Sequence, residues 1–277
     1  MSTDAIPRPA TSAGQAGLAA LLHDPRHALI GMDFDGTLAP IVADPGAARA
    51  HPGVASVLAA LAPVVGTLAV ITGRTAAEAV AFGGFAEIPG IIVLGHYGAQ
   101  RWHDGKLSTP EPLPAIEAAR RALPGLLSAA GAQDGTWVED KGHSLAVHTR
   151  RAADPEIALA RLREPLTRLA AELGLAAERG RHVVELRPRG VDKGAAITEL
   201  VRQRTARSVL CIGDDLGDLP AFTAVQALRA AGIPGCTVAS GSAEAPEVAA
   251  AADLVVDGPA GVVGLLAAIA GQLSQEG

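Results

Sequence analysis

The sequence predicts an α/β fold: a parallel sheet with helices on both faces, interrupted by a smaller α+β unit. Three observations carry this. Short, nearly continuous apolar runs alternate with helix-length segments early and late in the 277 residues, as strands buried on both faces require. Between them, over residues 108–188, the rhythm changes to two long helical stretches separated by short alternating runs, which reads as a second folding unit. The apolar runs also end in acidic, hydroxyl and glycine residues, at the edge of an open α/β sheet where ligands bind.

In chain order, residues 1–20 hold prolines and small polar residues and are expected as a flexible tail. Residues 28–34 predict a strand, 54–61 a helix, 67–71 a strand, 75–82 a helix and 91–94 a strand. In the middle stretch, 113–130 predict a helix with Pro124 starting or kinking its second half. Strands follow at 137–139 and 144–149 around a Lys141-Gly142 turn, then a helix at 156–173 and an alternating run at 182–186. The first rhythm returns with a helix at 193–202, a strand at 209–212, a helix at 219–230, a strand at 254–256 and a helix at 262–273. The expected units are thus a core of 21–107 with 189–277, and an inserted unit of 108–188.

Composition narrows the function. Apolar residues make up 49% and charged residues 19%, enough for a full hydrophobic core and unlike a disordered chain. The net charge of −6 lacks the attraction to phosphate backbones that nucleic-acid binders use, so no nucleic-acid partner is expected. Cys211 and Cys236 are too few for a disulfide framework or a four-thiolate zinc site. Residues 1–17 show no signal-peptide pattern. The apolar run 261–271 falls short of the about 20 residues a membrane span needs. No membrane partner and a cytoplasmic location are therefore expected. Only three of the 23 basic residues are Lys, so each suggests a need for an ammonium in particular. The histidines show no metal-ligand spacing with Cys or one another, and surface or strand positions are expected for them, His148 included; Trp137 is expected to pack.

The chemistry concentrates at the ends of strands. Asp33-Phe34-Asp35-Gly36-Thr37 follows the first apolar run. Alone it fits an Asp-Gly turn, but two carboxylates this close need a cation or a proton between them. Gly213-Asp214-Asp215-Leu216-Gly217-Asp218 closes another run, so in a parallel sheet Asp33 and Asp214 can face one ion. An all-oxygen set favours Mg²⁺ over zinc. Thr72-Gly73-Arg74 offers a hydroxyl, a close-approach glycine and a guanidinium at a helix start, which suits a phosphate. Asp192-Lys193-Gly194 opens a helix, and its Lys can neutralise phosphoryl oxygens.

These motifs, in this order, resemble the phosphatases of the haloacid dehalogenase superfamily, whose core is Rossmann-like. DFDGTLAP at 33–40, ITGR at 71–74, VEDKGHSLAVHTR at 138–150, ELRP at 185–188 and DKG at 192–194 further resemble trehalose-6-phosphate phosphatases. The resemblance covers residues 28–260 and implies roles. Asp33 would be the nucleophile and Asp35 the acid and base, while Thr72 and Lys193 would hold the phosphoryl oxygens. Mg²⁺ would be ligated by Asp33, the backbone carbonyl of Asp35 and Asp214, with Asp215 and Asp218 in support. The inserted unit would be a cap for substrate specificity, its Glu139, Lys141 and Glu185 meeting sugar hydroxyls, with Arg74, His96 and Arg187 as further substrate-binding candidates.

The implied activity is Mg²⁺-dependent hydrolysis of trehalose 6-phosphate, the last step of trehalose biosynthesis, with a functional pairing to a trehalose-6-phosphate synthase. Two departures stand out: Gly217 and Leu219 replace the family's usual Thr and Glu, and His96-Tyr97-Gly98 replaces Asn-His-Gly. The rival readings are a phosphatase of sucrose-phosphate or glucosylglycerol-phosphate type, and a non-catalytic sugar-phosphate-binding module. The second would predict loss of a catalytic residue, and none is lost. A dinucleotide-binding dehydrogenase would need a Gly-x-Gly-x-x-Gly turn after the first strand, which Asp33-Phe34-Asp35-Gly36 replaces.

Overall fold

The computed structural model describes residues 5–180, 182–241 and 246–275. Its strands are β1 (Ala28–Met32), β2 (Thr67–Ile71), β3 (Ile92–Gly95), β4 (Gln100–His103), β5 (Lys106–Ser108), β6 (Trp137–Asp140), β7 (Leu145–His148), β8 (Leu175–Gly180), β9 (Val183–Pro188), β10 (Ser208–Gly213), β11 (Gly235–Ser240) and β12 (Leu254–Val256). Its α-helices are α1 (Ser12–His23), α2 (Val54–Leu61), α3 (Ala76–Gly83), α4 (Pro114–Ala129), α5 (Pro155–Glu172), α6 (Lys193–Arg204), α7 (Leu219–Ala230), α8 (Pro246–Ala251) and α9 (Gly258–Gln275). The chain divides into two compact units, 1–108 with 192–277, and 109–191.

The larger unit is built on an eight-stranded sheet in the order β12-β11-β10-β1-β2-β3-β4-β5. All pairs from β12 to β3 are parallel, and β4 and β5 add an antiparallel hairpin at one edge. Alternation along β1 explains why both faces need helices. Ala28, Ile30 and Met32 enter a core shared with α1, α2, α3 and α9, whereas Leu29 enters a second core shared with α6, α7 and α8. The predicted parallel sheet with helices on both faces is thus observed.

The predicted tail needs correction, because residues 12–20 belong to α1. The Thr11 side chain caps this helix by accepting the Gly14 N–H at 3.0 Å, and Leu18 and Leu21 are buried. A Cβ on Gly17 would lie 1.9 Å from the Gly235 carbonyl oxygen. Only glycine lets the helix approach β11 so closely, and the same small residues weaken the helical signal in the sequence.

The smaller unit has its own four-stranded antiparallel sheet, β6-β7-β9-β8. Leu145, Val147, Val184 and Leu186 form a core with Ile116, Ala119 and Leu123 of α4 and Leu162 and Leu166 of α5. α4 runs through Pro124 as one helix.

Candidate active site

β1, β2 and β10 are neighbours running the same way, so Asp33, Thr72 and Asp214 emerge at one edge of the sheet. The turn after β1 is tightly held. The Phe34 carbonyl accepts the amides of Leu38 and Ala39, both at 2.8 Å, and Gly36 N–H donates to the Ala39 carbonyl at 2.7 Å. Phe34 is anchored edge-on against Phe85, with ring centroids 6.0 Å apart. Gly36 has φ +76°, and a Cβ there would sit 1.9 Å from Asp214 Oδ2. This glycine therefore leaves room for a second carboxylate beside the first motif.

Asp33, Asp214 and Asp218 each bring a carboxylate oxygen within 4.8 Å of the others, and all three are buried. Lys193, at the first turn of α6, places Nζ 2.9 Å from Asp33 Oδ1 and 2.8 Å from Asp218 Oδ1. Asp192 caps the same helix by accepting the Ala195 N–H at 2.8 Å, so the capping reading of this motif holds, and the cap sets Lys193 in the first turn. The other oxygen of Asp218 accepts the amides of Asp214 at 3.0 Å and Asp215 at 3.2 Å.

The electrostatics follow from burial. Three carboxylates face a single ammonium among these side chains. Burial pushes Asp33 well above the ordinary carboxylate range; Lys193 opposes this, and Asp218 and Asp214 add to it. Asp214 is pushed up to about 7, by burial first and then by Asp218 and Asp215. Burial works to lower Lys193, but Asp218 and Asp33 outweigh it and hold the ammonium well above its usual range. Such a site is short of positive charge. A hard divalent cation fits it, and the donors are all oxygen.

The remaining candidates fall into distinct places. Thr72 is buried at the end of β2, and its hydroxyl accepts the Arg74 N–H at 3.2 Å. Arg74 is bound to Asp35 through two hydrogen bonds of 2.6 Å, donates to the Pro45 carbonyl at 2.9 Å and lies 5.3 Å over the Phe82 ring. The Asp35 carboxylate thus stands apart from the buried triad. Asp215 is exposed and caps the short turn at 216–218, accepting the Gly217 N–H at 2.9 Å. His96 is buried with φ +48°, and its amide donates to the Arg74 carbonyl at 2.8 Å. Tyr97 brings its hydroxyl to 2.7 Å from where a Cβ on Gly73 would be.

In the smaller unit, Glu139, Ala146, Glu185 and Glu178 form one row across the four strands, on the face away from α4 and α5. Lys141 Nζ lies 3.4 Å from Glu185 Oε2, and Arg187 lies 3.2 Å from Glu178. Ser144 donates to Glu185. Glu139, Lys141, Glu185 and Arg187 therefore share a polar face of this sheet.

Sequence reasoning missed two supports. Thr37 donates to Asp214 Oδ1 at 3.1 Å, and Ser240, at the end of β11, donates to the Gly36 carbonyl at 2.7 Å. Thr37 had a signal, since it lies inside the first motif. Ser240 had none.

A trehalose-phosphatase family model matches residues 31–259. The chain belongs to this family. Among curated relatives, the trehalose-phosphate phosphatase of Mycobacterium marinum (strain ATCC BAA-535 / M) is 33% identical over 91% of this chain and 64% of its own length. A probable α,α-trehalose-phosphate synthase (UDP-forming) of Arabidopsis thaliana is 35% identical over 34% of this chain and 12% of its own length. The chain thus spans only part of these longer relatives. The solved structure of Aspergillus fumigatus trehalose-6-phosphate phosphatase aligns with a TM-score of 0.70 and 26% identity, covering 96% of this chain and 99% of that one. The trehalose-phosphatase fold expected from the motifs is therefore the fold observed.

Proposed function

We propose that this member of the trehalose-phosphatase family is an Mg²⁺-dependent phosphatase that converts trehalose 6-phosphate to trehalose and phosphate. The observation that carries the reading is the buried set of Asp33, Asp214, Asp218 and Lys193 at the carboxyl edge of the parallel sheet. The names of the relatives support the substrate.

Asp33 attacks phosphorus, forming an aspartyl-phosphate as the bond to the sugar oxygen breaks; Asp35 delivers the proton that the leaving oxygen needs. Asp35 then takes a proton from the water that hydrolyses the intermediate. Both oxygens of Asp35 accept from Arg74, which fixes the direction of the carboxylate for both steps. Lys193 and Thr72 hold the phosphoryl oxygens, and Lys193 also orients Asp33. Asp33, Asp214, the Asp35 carbonyl and Asp218 would hold Mg²⁺, which supplies positive charge against the phosphoryl group. Residues 109–191 serve as the specificity unit, with the polar face of Glu139, Lys141 and Glu185 meeting sugar hydroxyls. The synthase relative, in which a segment similar to 34% of this chain lies within a longer protein, supports a pairing with the enzyme that makes the substrate.

The test is phosphate release with Mg²⁺ from trehalose 6-phosphate, sucrose 6-phosphate, glucose 6-phosphate and an aryl phosphate. Trehalose 6-phosphate is expected to lead by at least about 100-fold, within the roughly 10⁴-fold that a hydrogen-bonding site reaches when its partners go unpaired. Asp33→Asn should lose at least about 1,000-fold in kcat with an unchanged circular dichroism spectrum. Near-normal turnover in that variant removes Asp33 from the nucleophile role, and equal rates on all four substrates reject the sugar assignment.

A further inference from the structure

One cluster on the polar face of the smaller sheet has no part in the chemistry above. His148 of β7 lies directly opposite Trp137 of β6, and the two rings stack with centroids 4.6 Å apart and planes 10° from parallel. The Arg151 guanidinium sits 4.5 Å over the same indole. From this stack His148 Nε2 reaches Glu139 Oε2 at 2.8 Å. An ionised carboxylate only accepts hydrogen bonds, so Nε2 carries the proton.

We propose that His148 is a positioning residue: held flat against Trp137, it fixes the Glu139 carboxylate and thereby sets the preference for a polyhydroxylated sugar phosphate over a simple phosphate ester. This rests on the reading of Glu139 as a sugar contact. Three features of the strand pair support it. β6 is an edge strand, and the Glu139 side chain, with three torsions, is 48% exposed, so the bond from His148 adds to what orders it. The residue opposite Glu139 is Ala146, whose small side chain leaves the diagonal from β7 open, within reach of a long side chain. His148 itself is only 16% exposed, and its χ angles are held by the stack. A carboxylate already fixed loses less rotamer freedom when the sugar binds.

A purely structural role would be a cross-strand ring pair that steadies the sheet edge, and the two can be separated. His148→Phe keeps a ring on Trp137 but removes the donor to Glu139; His148→Gln keeps a donor but loses the stacked ring. For His148→Phe the KM for trehalose 6-phosphate should rise about threefold to tenfold at an unchanged melting temperature. The ratio of kcat/KM for trehalose 6-phosphate to that for an aryl phosphate should fall by the same factor. His148→Gln should recover part of that loss. Adding His148→Phe to Glu139→Gln should cost nothing beyond Glu139→Gln alone, because the histidine acts through the glutamate. The proposal is overturned if His148→Phe leaves the ratio unchanged while Glu139→Gln lowers it, or if the two losses add. If Glu139→Gln itself leaves the ratio unchanged, the sugar contact fails, and the positioning role with it.

Discussion

Asp214 shows how a single buried carboxylate couples metal, protons and stability. Burial, with Asp218 and Asp215 adding, pushes it up to about 7, against an ordinary value of 3.8. The folded state therefore keeps a proton that the unfolded chain releases, and the extra proton is held between pH 3.8 and about 7. In metal-free protein this group's contribution to stability is greatest in acid, declines as pH rises through that window, and is flat above it. Mg²⁺ must displace the same proton, so the part of its affinity that depends on Asp214 should rise with pH up to about 7 and then level off. Titration calorimetry at pH 5.5, 6.5, 7.5 and 8.5, with buffers of different ionisation enthalpy, checks both parts. More proton release at the two lower pH values than at the two higher is the expected outcome. Affinity independent of pH would take Asp214 out of the metal site.

At the scale of elements, the polar part of the attachment of α1 to the sheet centres on one aspartate. Asp253, just before β12, is 4% exposed and gathers hydrogen bonds from Thr11, Arg229, the Thr237 amide at 2.8 Å and the Thr237 hydroxyl at 2.9 Å. Burial works to raise its carboxyl, but these donors outweigh it and leave it below the ordinary value. Asp253→Ala strands a guanidinium and several donors at once, so it should cost about 3–5 kcal/mol in urea unfolding. A loss below about 1 kcal/mol would show that water replaces the network. This attachment also explains what the sequence reading missed. α1 and β11 are rich in Gly, Ala, Ser and Thr and lack a strong apolar stripe, because Gly17 and Gly235 must lie nearly in contact. Their signal was removed by the packing they perform. β4 and β5 are different: Asp104-Gly105, both at positive φ (47° and 74°), is a two-residue hairpin turn that was readable but overlooked. β1, β2, β3 and β10 were legible because burial on both faces leaves no room for polar residues. Asp33, Thr72 and Asp214 were legible because polar residues stand where those strands end, and Lys193 because it opens a helix in a chain with only three lysines. The partners of Asp35 and Glu139 were not legible, since Arg74 and His148 reach them through side-chain directions that no spacing encodes.

For the molecule as a whole, the two units have separate hydrophobic cores, while every member of the buried acidic triad lies in the larger one. A ligand stabilises whatever binds it in the folded state, by about 2.7 kcal/mol at 100 times its dissociation constant. Mg²⁺ added alone should therefore slow hydrogen exchange in β1, β2 and β10 and leave α4, α5 and β7 exchanging as before, if the units open separately. Adding an unreactive trehalose 6-phosphate analogue on top of Mg²⁺ should then protect β6, β7 and β9, because the sugar contacts proposed for Glu139, Lys141 and Glu185 lie on those strands or in the turn joining them. The order of protection is the decisive readout. Equal slowing in both units with Mg²⁺ alone would mean that the chain opens as one cooperative whole despite its two cores. Analogue protection confined to the larger unit would leave the phosphoryl chemistry in place but remove the smaller sheet from sugar recognition.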